Sequence, residues 1–134
     1  MNTTALVCTV VLGLLLFSLG LTISGLRFRS GTLSGTLSGY AASPDDLLAK
    51  LVRAHGNTAE YVPLLAVLFL YLGAHNPAPW QVWCMVGATA SRVLLAVGLL
   101  AWPTMSRPNP ARFVGAIGTY LFGAALCVAL LNGA

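Results

Sequence analysis

Charged side chains are scarce in this chain: seven Lys/Arg and three Asp/Glu among 134 residues, or 7%. Soluble domains carry about 25%. A mean hydropathy of +0.84 with 57% hydrophobic residues excludes an ordinary soluble fold and points to an integral membrane protein. The net charge of +4 does not indicate nucleic acid, because the arginines are scattered and the apolar fraction is far too high for a DNA-binding surface. In a membrane chain a basic balance reflects the positive-inside bias. Cysteine is equally sparse. Cys8, Cys84 and Cys127 are odd in number, distant in sequence and each set in an apolar segment. They offer no disulfide framework, CxxC pair or Cys/His metal cluster, and all three read as buried thiols. No basic residue precedes the charge-free run from Asn2 to Leu26. That length and the missing basic leader fit a retained membrane helix better than a cleavable signal.

What is present is organised as four apolar segments. They predict an all-α membrane protein, a bundle of four transmembrane helices over about residues 4–27, 44–73, 79–102 and 110–132 in a single domain. Three of the segments have roughly the 20 residues that a bilayer core requires. The second is apolar only from Tyr61 to Leu72 and needs a polar extension. Ser43-Pro44-Asp45-Asp46 predicts its start, with Ser43 as N-cap and Pro44 at the first helical position. From Pro44 to Gly73 the helix would be about 45 Å long at 1.5 Å per residue, so its first turns would stand out of a hydrocarbon core of about 30 Å. Pro63 would free the carbonyl of Ala59 within it. Residues 30–43, with GTLS repeated, predict a flexible small-residue linker.

Charge placement predicts orientation. Arg27, Arg29, Lys50 and Arg53 surround the first loop and Arg107 and Arg112 the third, whereas the second loop has only His75, a solvated turn residue. Loops one and three are therefore expected in the cytoplasm and both termini outside. Trp80, Trp83 and Trp102 mark the two interfaces of the third helix.

Against this background Arg53, Asn57, Glu60 and Tyr61 stand out. Their spacing places them on one helical face at the mouth of an apolar run. A cation, an amide and a carboxylate are costly in lipid, so the stripe must face protein, water or a ligand. Arg92 falls mid-way along the third segment, where a salt bridge or hydrogen-bonded network between helices would satisfy it. Arg27 and Arg29 suit topology and headgroup anchoring. Arg107 and Arg112 flank Pro108-Asn109-Pro110, where a guanidinium can bind a carboxylate or hold a thiolate. His55 lies one step off the Arg53 face. Gly115, Thr119, Gly123 and Cys127 form a small-residue stripe suited to close helix packing.

The run Arg53-Ala54-His55-Gly56-Asn57-Thr58-Ala59-Glu60-Tyr61-Val62-Pro63 resembles the helix-two motif of the MAPEG family, membrane-associated proteins in eicosanoid and glutathione metabolism. Ala90 to Gly98, around Arg92, resembles its helix-three segment, and the likeness extends over nearly the whole chain. The resemblance, to bacterial-type members, implies a homotrimer in a bacterial inner membrane, with glutathione held between subunits on the cytoplasmic side. It implies glutathione contacts from Arg53, Asn57, Glu60 and Tyr61, with Arg92 and Arg112 as further binding candidates. It adds Arg27 or Arg29 from the first helix and makes Arg107 the closest match to the residue that stabilises the thiolate, with Arg112 as the fallback. Glutathione would be cosubstrate, no metal is implied, and the partner would be a lipophilic electrophile or hydroperoxide taken from the lipid, as in detoxification by a glutathione transferase.

One departure bears on chemistry. Where many members carry a histidine or tyrosines after the helix-three arginine, this chain has Leu95, Val97 and Leu99. Two other readings therefore stand beside the enzyme: a small proton-coupled multidrug-type transporter, and a membrane scaffold that kept the fold without the chemistry. Such transporters usually carry their key glutamate in the first helix, and here no acid precedes Arg27.

Overall fold

The computed structural model describes residues 1–30, 45–107 and 109–132. These form four α-helices, with no strand among the described residues: α1 (Thr3–Ser30), α2 (Leu47–Ala74), α3 (Pro79–Ala101) and α4 (Pro110–Leu131). Each is long and apolar enough to cross a membrane. The predicted linker, with Ser43 and Pro44, lies outside the described residues apart from Ser30.

Two helix boundaries differ from expectation. α1 runs on through Arg27 and Arg29, which stand in its last turn, where cations complement the helix dipole. α2 starts at Leu47, with Asp46 in extended geometry as its cap. The physical reason is next to it: the Asp45 carboxylate accepts the Met105 N–H at 2.7 Å, which draws this residue to the α3–α4 loop. α2 then continues unbroken through Pro63.

The helices run up and down. α3 and α4 share the most extensive packing, followed by α1 and α2, while α4 touches α2 only narrowly. Close approach depends on missing side chains. A Cβ on Gly115 would lie 2.7 Å from the Ser91 carbonyl oxygen and 2.8 Å from the Leu95 nitrogen, and one on Gly118 would collide with the Ser91 hydroxyl. The predicted small-residue stripe thus divides. Gly115 and Thr119 are buried against neighbouring helices, but Gly123 has room and Cys127 is exposed. Cys127 corrects the expectation of three buried thiols; Cys8 is buried and Cys84 is half-buried.

The core has two apolar halves. One joins Ala5, Cys8 and Leu12 to Leu65, Leu68, Phe69, Met85 and Leu126. The other joins Leu19 and Ile23 to Leu51, Ala54, Leu95 and Leu99. Between them lies a polar layer containing Thr58, Ser91 and Arg92, all buried. The Thr58, Thr89 and Thr119 hydroxyls return to carbonyls four residues back, so they need no outside partner.

Candidate functional site

The polar layer is built around Arg92. This arginine is 1% exposed and among the largest fully buried side chains. Its Nη2 donates to the Asn57 side-chain oxygen at 2.7 Å and to the Asn57 carbonyl at 3.0 Å. Its guanidinium carbon lies 5.0 Å from the centroid of the Tyr61 ring, a cation–π contact. Arg92 therefore ties α3 to α2, as the hydrogen-bonded-network reading expects. The tie has a chemical consequence. With its oxygen engaged, the Asn57 amide turns its nitrogen away from Arg92 as a donor. The Arg92 Nε is buried without a hydrogen-bond partner.

Tyr61 reaches α4. Its hydroxyl lies 3.3 Å from that of Tyr120, and the two rings are tilted with centroids 5.7 Å apart. Sequence reasoning missed Tyr120. Its signal was a tyrosine near the centre of an apolar span, away from the interfaces where this residue is enriched. Glu60 interacts electrostatically with both Tyr61 and Arg92, yet it is exposed, and among the described residues no ion pair or hydrogen bond to its carboxylate is found. Arg53, seven residues earlier on the same helix, is exposed as well. Of the four stripe residues, the fold joins Asn57 and Tyr61 to Arg92. It leaves Arg53 and Glu60 on the open face of α2.

The other arginines collect at the end of the bundle where α2 begins. Arg27 is half-buried and Arg29 exposed. Arg107 is exposed in the α3–α4 loop. Arg112 is half-buried and donates from Nη1 to the Met105 carbonyl at 2.9 Å. The loop is anchored from several directions. Buried Lys50 donates to the carbonyls of Trp102 and Pro103 at 2.7 and 3.0 Å, satisfying the open end of α3. Asn109 caps α4 by accepting the Ala111 and Arg112 N–H groups and donates to the Gly98 carbonyl at 2.7 Å. The Met105 N–H holds the Asp45 carboxyl below the usual carboxylate range, helped by the Thr104 hydroxyl. Sequence reasoning gave Lys50 no role beyond topology, although it is the chain's only lysine.

His55 packs on α1: a Cβ on Gly20 would meet its Nε2 at 3.3 Å. It borders an apolar groove of about 720 Å³ with Leu14, Phe17, Leu21 and Ala59. A second, smaller cleft of about 180 Å³ opens between α2 and α4 beside Tyr61 and Tyr120. Among the described residues no group of three or more His, Cys, Asp or Glu could hold a metal. Leu95 and Leu99, which stand where hydroxyls were expected, are core residues, and Val97 is exposed.

Four apolar spans with a charged and hydroxylated layer at mid-height define an integral membrane protein. The family model for MAPEG matches residues 5–132, and the chain belongs to the MAPEG family. Membership is consistent with membrane chemistry related to glutathione or to eicosanoid metabolism. No curated protein and no solved structure matches the chain.

Proposed function

We propose that this protein is a glutathione-binding membrane enzyme, a homotrimer with sites between subunits that open to the cytoplasm. It conjugates glutathione to a lipophilic electrophile or reduces a lipid hydroperoxide. The observation that carries this reading is Glu60: an exposed carboxylate without an ion-pair partner among the described residues, near the middle of the 28-residue α2. An ionised group at that depth is strongly disfavoured in lipid. A second subunit and a zwitterionic ligand together remove the penalty.

Glutathione has two carboxylates, one ammonium and a thiol that must ionise to attack. Arg53 matches a carboxylate bidentately. Glu60 accepts the ammonium or an amide. Asn57, turned by Arg92, donates from its free nitrogen. Tyr61 contributes its hydroxyl, and Arg92 acts by orienting Asn57 and Tyr61. Arg107 stabilises the thiolate by lowering the thiol pKa. Arg27 or Arg29 adds a charge contact from α1. Arg112 holds the loop that presents Arg107.

The test is the ultraviolet absorbance of thiolate on mixing purified protein with glutathione, repeated with Arg107→Ala. Thiolate formation that is lost in the variant supports the reading; an unchanged signal removes Arg107 from the role. The core positions of Leu95 and Leu99 favour a second reading, a glutathione-binding scaffold without catalysis. Glutathione binding with no thiolate signal in the wild-type chain would select it. Proton-coupled efflux from liposomes that vanishes in Glu60→Gln would select a transporter instead.

A further inference from the structure

The open face of α2 carries two residues that weaken a helix. Gly56 follows Arg53 by three residues and precedes Glu60 by four, so the three share a face. Pro63 stands three residues beyond Glu60 on the same face, and Gly56, Glu60 and Pro63 are all exposed. Glycine in mid-helix costs stability relative to alanine. At Gly115 and Gly118 the close approach of α3 explains it. At Gly56 no packing does, because a Cβ there would find nothing within 4 Å. Pro63 lies inside α2 without an N–H to donate. The Ala59 carbonyl, four residues earlier, therefore lacks its helical donor, and Ala59 is only half-buried. A backbone acceptor left open in hydrocarbon is strongly disfavoured. Gly56, Ala59, Glu60 and Pro63 fall at i, i+3, i+4 and i+7, which makes them one contiguous patch of helix surface.

We propose that this patch is a subsite that recognises the peptide backbone of the thiol cosubstrate. The bare helix at Gly56 lets the ligand's backbone lie against α2, and the Ala59 carbonyl accepts one of its amide N–H groups. The inference rests on the glutathione reading and makes Gly56 and Pro63 specificity-determining residues within it. The rise from Arg53 to Glu60 is about 10 Å at 1.5 Å per residue, within the reach of a three-residue peptide at about 3.3–3.6 Å per residue. A ligand that meets both charges runs across the Gly56 turn, where a side chain would stand between it and the helix. The Glu60 Cα–Cβ bond tilts toward the helix N-terminus, which inclines its carboxylate toward that turn. A thiol without an amide brings no N–H to the Ala59 carbonyl, so the subsite favours a peptide thiol over a simple one.

The test is calorimetric titration of glutathione into the protein in lipid nanodiscs, with thermal unfolding and assembly mass measured for each variant. Gly56→Leu is expected to occupy the patch and weaken binding by at least about tenfold. Pro63→Ala returns an N–H to the Ala59 carbonyl. It should weaken binding by about threefold to tenfold, the range of one neutral hydrogen bond. Neither substitution should lower the melting temperature, because leucine and alanine are better helix formers than the residues they replace. Weaker binding without weaker folding separates a ligand subsite from a packing contact. Absence of glutathione binding in the wild-type chain overturns the glutathione reading and this inference together. Wild-type binding that survives either substitution overturns the inference alone. A lower melting temperature or a smaller assembly mass in either variant assigns the position to packing and overturns it as well.

Discussion

Arg92 joins the two helices that carry the buried part of the polar stripe. Buried between two apolar halves of the core, it reaches Asn57 through two acceptors and Tyr61 through its ring face. Replacement by Met keeps most of the volume but leaves the Asn57 oxygen without a donor. Arg92→Met is expected to lower stability by on the order of 2 kcal/mol, read by thermal unfolding in nanodiscs. It should also weaken glutathione binding, because the Asn57 amide loses its fixed orientation. Arg53→Ala and Glu60→Gln are a different case. Both residues are exposed, so their loss should spare folding while weakening glutathione by at least about tenfold, the worth of one charge-assisted hydrogen bond. Unchanged affinity by calorimetry would remove the residue from the site. The stripe itself was legible from spacing alone. Its division into two residues tied to Arg92 and two left open was not, because that depends on where α3 passes.

At the scale of elements, the α3–α4 pair and the loop joining them are fixed by opposite means. The pair depends on absent side chains. Gly115→Ala or Gly118→Ala forces backbone or the Ser91 side chain to move and should cost about 1–3 kcal/mol, while Gly123→Ala, with Leu65 at 3.8 Å, should stay within about 0.5 kcal/mol. Equal losses at all three positions would contradict the packing. The loop depends on polar anchors: Lys50, Asp45, Arg112 and Asn109 all reach it or its flanks. Asp45 gives it a pH dependence with a definite sign. Because the Met105 N–H lowers its folded pKa, the anchor stabilises fully above the unfolded value of about 3.9 and is lost as pH falls through the lower folded value. Thermal unfolding of the wild-type chain and Asp45→Asn should therefore differ at pH 6 and converge in strong acid. A gap that persists at pH 2 would assign the effect to something other than the carboxylate. The helix boundaries carry the same lesson. Ser43-Pro44 reads as a helix start by local preference, yet Asp45 and Asp46 stand outside α2, because a tertiary hydrogen bond outweighs a capping preference of about 1 kcal/mol.

For the whole molecule the decisive fact is an imbalance. A single subunit leaves Glu60, Arg53 and the Tyr120 hydroxyl on its outer surface within or near membrane depth, which lipid alone does not tolerate. Light scattering of the detergent-solubilised protein should give a mass of three chains. A monomer that binds glutathione with full affinity would overturn the proposed site between subunits. Charge placement adds a topological expectation: a reporter fused after Ala134 should be active on the non-cytoplasmic side, opposite Arg107.

The class of molecule is already written in the linear pattern. Hydropathy, segment length and the scarcity of charge specify four membrane helices, because a bilayer admits backbone only with its hydrogen bonds closed within the segment. It also determined the polar stripe, since helical periodicity alone aligns Arg53, Asn57, Glu60 and Tyr61. The tertiary structure decided which polar groups satisfy one another. Arg92 with Asn57, Tyr61 with Tyr120, and Lys50 with the end of α3 are separated by 35, 59 and 52 residues. Each pairing depends on the rotation and height at which two helices meet, and no local pattern encodes either. Side-chain shape across the interfaces sets both, through glycines that let α3 and α4 touch and a buried guanidinium that fixes the register of α2 against α3.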